Sequence, residues 1–144
     1  MRLNTLDSSL ETDAPKLWVG ASPEGLASAM VLAAGRGERM RPLTDTAPKP
    51  MLKVHGKPLM QWHMEALAKA GHPDQLINTA WLGPQIEAHF GLNPDLPNGG
   101  RVHLRYSHEG KEFGYALETA GGIVRALPFL APVFWVVAGD IYAP

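Results

Sequence analysis

An apolar run, Ala29-Met30-Val31-Leu32, opens directly into the loop Ala33-Ala34-Gly35-Arg36-Gly37-Glu38-Arg39-Met40-Arg41-Pro42-Leu43-Thr44, and a Pro48-Lys49-Pro50 triplet follows. That order leaves a chain few ways to fold. The apolar run reads as a buried strand. A strand that ends in Gly35-x-Gly37 leaves backbone N–H groups unshielded by side chains, and such groups form a cradle for phosphate. Arg36, Arg39, Arg41 and Lys49 add positive charge around it. A polyphosphate is therefore the expected ligand.

Two other phosphate loops are excluded on residues. The P-loop requires GxxxxGK followed by Ser or Thr, which this chain lacks. The dinucleotide fingerprint requires a third glycine for close helix–sheet packing, and Met40 stands in its place. A lone GxG also fits a plain strand-to-loop turn; the arginine-bearing loop and the proline-flanked lysine go beyond such a turn.

The rest of the chain alternates strand and helix patterns. The first strand is expected at 29–33 and a long proline-rich loop at 34–56. A helix is expected at 58–70, with Pro58 at its first position and Gly71 just past its end. Leu59, Trp62, His63, Ala66, Leu67 and Ala70 share one of its faces at helical spacing, which makes Trp62 a core residue first and a ligand contact second. A strand at 75–80, a short helix at 84–90, a loop at 93–100, a half-buried strand at 101–107, a helix at 117–127 and an apolar strand at 133–138 complete the pattern. Strands spaced by helices imply right-handed βαβ units and an α/β, three-layer, Rossmann-like fold with a mostly parallel sheet. In such a sheet ligands lie beyond the carboxyl ends of the strands, where the first loop, Asn78 and Gly139-Asp140 should converge.

The string LAAGRGERMRPLT followed by PKP resembles the signature of the sugar-1-phosphate nucleotidyltransferases. NTAWLG at 78–83, LETAGG at 117–122 and VVAGD at 136–140 resemble the N-acetylmuramate-1-phosphate uridylyltransferase branch of that family, which serves cell-wall recycling. The resemblance runs from about residue 29 onward. It implies transfer of a nucleoside monophosphate from a nucleoside triphosphate, UTP in that branch, to a sugar 1-phosphate, with release of pyrophosphate, in the cytoplasm with Mg²⁺ as cofactor.

The resemblance also implies roles. Ala34, Gly35, Gly37, Glu38 and Arg39 surround the triphosphate. Lys49 reaches the reacting phosphates, and Arg39, Lys49 and Asp140 are the catalytic set. Asp140, directly after an apolar strand, suits Mg²⁺, which takes one or two carboxylates together with phosphate and water; a turn aspartate is the alternative. For Lys49 the alternative is a solvated loop lysine, against which the stiff flanking prolines weigh. Glu118, Thr119 and Gly121 belong to the nucleobase and sugar wall, where glycines admit a flat base; alternatively Thr119 caps a helix and Gly121 and Gly122 serve packing. Asn78 is assigned to nucleotide binding, although an Asn at a strand end also forms turns.

Departures from the family pattern are visible. Ala138 stands where an Asn is frequent, and the segment 109–115 is longer than in close relatives. The chain stops at Pro144, four residues after Asp140. The resemblance places a second metal carboxylate and most of the acceptor pocket further on, so 29–144 is expected to be the front of a catalytic domain, with strand 133–138 partly exposed. Residues 1–28 are expected to be a flexible extension in which Leu17-Trp18-Val19 packs locally. Within the same family, glucose or mannose 1-phosphate is an alternative acceptor; a nucleotide-binding module without turnover is the alternative of a different class.

Composition bounds the rest. The chain has 144 residues and is 45% hydrophobic, enough for one domain with a core. A net charge of −1 argues against a nucleic-acid-binding face. The absence of cysteine rules out disulfides and thiolate zinc sites. The six histidines lack ligand spacing and are expected at scattered, exposed or half-buried positions.

Overall fold

The computed structural model describes residues 25–142. The expected packing of Leu17-Trp18-Val19, and the last two residues, lie outside that range. The first strand, β1, spans Ala27–Ala33, two residues earlier than the apolar run alone indicated. Residues 34–56 are not a plain loop. They contain a 3-10 turn at Glu38–Met40, a short helix α1 (Leu43–Thr46), a second 3-10 turn at Lys49–Met51, and strand β2 (Lys53–Val54), which forms a hairpin with β3 (Lys57–Pro58). Proline resists the helix interior but opens single turns readily, which is why short turns survive where a long helix cannot.

Helix α2 (Leu59–Lys69) leads to β4 (Asp74–Thr79), and α3 (Gly83–Phe90) leads through a small hairpin of β5 (Asp95–Leu96) and β6 (Gly100–Arg101) to β7 (His103–His108). Helices α4 (Glu109–Phe113) and α5 (Glu118–Ala126) precede the last described strand, β8 (Leu130–Ala138). The main sheet has the order β7-β4-β1-β8, and every pairing is parallel. The chain runs outward from β1 on one side, then returns to place β8 on the other. The carboxyl end of β1 is thus the point where strand order reverses, the place where such sheets bind ligands.

Alternation along β1 separates two layers of core. Ala29, Val31 and Ala33 face Met60, Met64 and Leu67 of α2 and Ile86 and Phe90 of α3. Met30 faces the opposite layer, with Ala126 of α5, Leu130 and Leu76. Helices therefore cover both faces of the sheet, as expected for parallel strands.

The buried face of α2 differs from the one the sequence predicted. Leu59 and Leu67 are buried as expected, but Met60 and Met64 enter the core beside them, while Ala66 and Ala70 are exposed. Trp62 is consequently not a core residue. Its indole N–H donates to the Val54 carbonyl at 3.1 Å, and the Lys57 ammonium lies 4.1 Å from its ring centre, so Trp62 packs on the β2–β3 hairpin. The six histidines are exposed or half-buried. On the outer edge of the described sheet, Val133 and Trp135 of β8 are 86% and 60% exposed.

Candidate active site

A cleft of about 420 Å³ opens at the carboxyl ends of β1, β4 and β8. Among the residues singled out from sequence, Ala34, Gly35, Arg36, Lys49, Asn78, Glu118, Thr119 and Asp140 line it. Two of them meet across ninety-one positions of sequence. The Lys49 ammonium lies 3.4 Å from an Asp140 carboxylate oxygen, both side chains being about one-third exposed.

Each member of that pair is held from behind. Lys49 opens its 3-10 turn between Pro48 and Pro50, and both prolines are buried. The Met51 N–H closes the turn on the Pro48 carbonyl at 2.9 Å. Asp140 follows Gly139, whose N–H donates to the Leu32 carbonyl at 2.9 Å and so fastens the end of β8 to the end of β1. A Cβ at Gly139 would stand 2.9 Å from Val31 Cγ1 and 3.0 Å from the Leu32 carbonyl oxygen, so only glycine allows this approach.

The two glycines of the first loop have different uses. A Cβ added at Gly35 would meet nothing within 4 Å, so that position stays open for a ligand to approach the backbone. Gly37 is left-handed (φ 68°), and a Cβ there would stand 2.9 Å from Thr44 Cγ2 and 3.1 Å from Lys49 Cβ. Gly37 serves the tight packing of the loop on itself. Gly37, Glu38, Arg39 and Gly121 do not line the cleft. Glu38 and Arg39 sit on an exposed 3-10 turn.

The positive charge around the loop is also less free than the sequence implied. Arg36 donates to Asp45 at 2.8 Å and Arg41 to the same oxygen at 2.9 Å. The Arg36 hydrogen bond, with the charge and hydrogen bond of Arg41 beside it, holds the Asp45 carboxyl below its ordinary value. Lys49 is the cation that faces Asp140 on the cleft wall.

Asn78 is buried, and both ends of its side-chain amide are engaged. Its oxygen accepts from the Ala33 N–H at 3.0 Å, and its NH₂ donates to Glu109 Oε1 at 3.1 Å. The other Glu109 oxygen accepts from the Leu117 N–H at 3.0 Å. Asn78 and Glu109 therefore bridge the end of β1 to the start of α5, and both are almost completely inaccessible. Gly122 packs on this bridge: a Cβ there would stand 2.7 Å from Glu109 Oε1 and 2.9 Å from Asn78 Nδ2. Of the two readings of the glycine pair, packing holds for Gly122. Thr119 does not cap α5, whose N-cap is Leu117 with no side-chain cap bond. Glu118 opens that helix in the left-handed region at φ 64°, a conformation that is costly for a residue with a side chain and that is found preferentially at functional positions.

Glu109 escaped the sequence reading because nothing local distinguishes it; its partner Asn78 is thirty-one positions away. Asn78→Ala is expected to leave one oxygen of the buried Glu109 carboxylate, Oε1, and the Ala33 N–H without their partners. That should lower stability by about 1–3 kcal/mol, measured as a reduced urea midpoint. An unchanged midpoint would mean that the bridge contributes nothing net.

The comparisons with known proteins agree with this architecture. The profile of the nucleotidyl transferase family matches residues 28–143. The N-acetylmuramate alpha-1-phosphate uridylyltransferase of Neisseria meningitidis serogroup B is 52% identical over 114 residues, covering 78% of this chain and 46% of that protein. Its namesake from Caulobacter vibrioides is 40% identical over 108 residues, covering 74% of this chain and 43% of that protein. The solved UDP-glucose pyrophosphorylase from Acinetobacter baumanii superposes with a TM-score of 0.64 at 18% identity, over 81% of this chain and 46% of that one, a likeness of fold. The chain spans about half the length of the curated relatives it matches. With the family profile covering all but three of the described residues and the signature loop forming part of the wall of the cleft, this chain belongs to the nucleotidyl transferase family.

Proposed function

We propose that this chain carries the nucleotide-binding front of an enzyme that transfers UMP from UTP to N-acetylmuramate 1-phosphate and releases pyrophosphate. The observation that carries this reading is the pairing of Lys49 with Asp140 at 3.4 Å on the wall of a cleft whose floor is the open backbone at Gly35. The choice of UTP and of the amino-sugar acid rests on the printed activity of the relative that is 52% identical.

In this reaction an oxygen of the sugar 1-phosphate attacks the α-phosphorus of UTP. The new P–O bond forms as the bond to the bridging α–β oxygen breaks, and pyrophosphate leaves with that electron pair. Both reactants are anions, so the work of the protein is to align them and to offset charge. The backbone at Ala34 and Gly35 receives the triphosphate, with Gly37, Glu38 and Arg39 shaping and charging the loop at its outer end. Lys49 donates to the reacting phosphates, where charge develops. Asn78 holds the end of β1 in place through the Ala33 N–H. Glu118, Thr119 and Gly121 form the nucleobase and sugar side.

Asp140 fits a magnesium site of the kind that uses few protein ligands. Its carboxylate is 38% exposed and lies on the cleft wall, and among the described residues no cluster of three or more His, Asp or Glu forms an all-protein cage. Mg²⁺ is held in that manner, by one or two carboxylates plus phosphate oxygens and water. When bound there it neutralises phosphate charge. Lys49 shares the same carboxylate, so its ammonium is already placed beside the phosphates that Asp140 and the metal would hold.

The test, run on the full-length enzyme that this chain fronts, is pyrophosphate release with UTP, magnesium and N-acetylmuramate 1-phosphate, beside UTP with glucose 1-phosphate and GTP with mannose 1-phosphate. Release confined to the first mixture supports the reading. Equal or faster release with either of the others would reassign the acceptor within the family.

A further inference from the structure

We infer that Trp81 is a positioning residue for the phosphate loop, acting through Thr44 and Arg36; the inference rests on the function proposed above. Trp81 lies in the connection between β4 and α3 and is not on the wall of the Lys49–Asp140 cleft. It reaches across to the first loop in two ways. Its indole N–H donates to the Thr44 carbonyl at 2.7 Å. Its ring lies 3.9 Å from the guanidinium carbon of Arg36.

These two contacts close a circuit within the loop. Arg36 also donates to the Thr44 carbonyl, at 3.1 Å, so both lone pairs of that oxygen are used. Thr44 is fully buried, and its hydroxyl donates to the Gly37 carbonyl at 2.7 Å. Arg36 reaches on to Asp45. A second strut runs parallel: the Gln85 side chain donates to the Thr46 carbonyl at 2.9 Å. One indole, supplied from the connection that follows the neighbouring strand, thus fixes Arg36, Gly37 and Thr44, on either side of the turn that carries Glu38 and Arg39.

The arrangement also assigns Arg36 its use. A guanidinium beside a phosphate cradle would ordinarily be a candidate ligand for the anion. Here its face is on Trp81 and its two terminal nitrogens donate to Thr44 and Asp45, so it braces the loop from a position on the cleft wall. Preorganising the backbone before the triphosphate arrives removes an ordering cost from binding. Trp81 should therefore affect UTP more than the acceptor.

Two variants separate the contacts. Trp81→Phe keeps a ring face for Arg36 and loses the N–H; Trp81→Leu loses both. The first measurement is hydrogen exchange in the nucleotide-free protein, which needs no activity. Amides of residues 36–46 should exchange on the order of tenfold faster with Leu and by less with Phe, while β4 and β7 are unchanged. The second measurement is steady-state kinetics. The KM for UTP should rise on the order of tenfold with Leu and less with Phe, and the KM for the sugar 1-phosphate should stay unchanged. Exchange in 36–46 like that of the wild type, or faster exchange spread evenly along the chain, would overturn the inference. So would equal rises in both KM values. If the wild type itself releases no pyrophosphate with any acceptor, the proposed function falls, and the exchange result alone decides the role of Trp81.

Discussion

Replacing Asp140 with Asn is expected to reduce pyrophosphate release by at least ~10²-fold at every magnesium concentration, in a protein that still folds. The substitution keeps the shape of the side chain and removes the charge that a hard cation requires. The fold should tolerate it because the position is fixed from the backbone. Gly139 is fastened to Leu32, and packing on Val31 and Met60 holds the end of β8 independently of the carboxylate. The ion pair lost with Lys49 is partly exposed, and such pairs contribute about 0–1 kcal/mol. The measurement is turnover across a magnesium titration, with a thermal melt of the same preparation. Wild-type turnover with an unchanged magnesium dependence would return Asp140 to the role of a turn residue.

Lys49→Ala should lower turnover by ~10²–10³-fold while weakening nucleotide affinity much less, because a preorganised donor contributes most where charge develops in the transition state. Preorganisation is visible in the local structure. The lysine emerges from a closed turn between two buried prolines, and its Cβ packs against the αL turn at Gly37. Removing the ammonium also leaves Asp140 without its 3.4 Å partner, so the carboxylate should hold a cation at least as readily as before. Turnover and the Kd of a fluorescent UTP analogue, measured side by side, separate the two effects. Equal losses in both would make Lys49 a binding residue; no loss in either would make it a surface lysine.

Much of the sheet was legible because its signals are local. The β/α alternation, the strand positions to within a few residues, and the phosphate loop with its proline-flanked lysine all follow from runs of residues and their spacing. The face of α2 was not legible. A stripe with His63, Ala66 and Ala70 beside Leu59 and Leu67, and one with Met60 and Met64 beside the same two leucines, both satisfy helical periodicity. What selects the second is the sheet beneath, where Val31, Ile77 and the end of β8 accept the flexible methionines, and the nearby hairpin, which takes Trp62.

The site divides along the same line. From sequence, position at or after the carboxyl ends of strands brought Gly35, Lys49, Asn78 and Asp140 to one cleft, and the family resemblance added Glu118 and Thr119. Only the tertiary structure decided how those residues are occupied. Lys49 meets Asp140, Arg36 and Arg41 converge on Asp45, Asn78 is spent on Ala33 and Glu109, and Gly122 packs on the Asn78–Glu109 bridge. The physical reason is that a hydrogen bond or ion pair is settled by whichever partner lies within about 3 Å, and several of these partners come from strands or loops thirty to ninety positions apart in the chain.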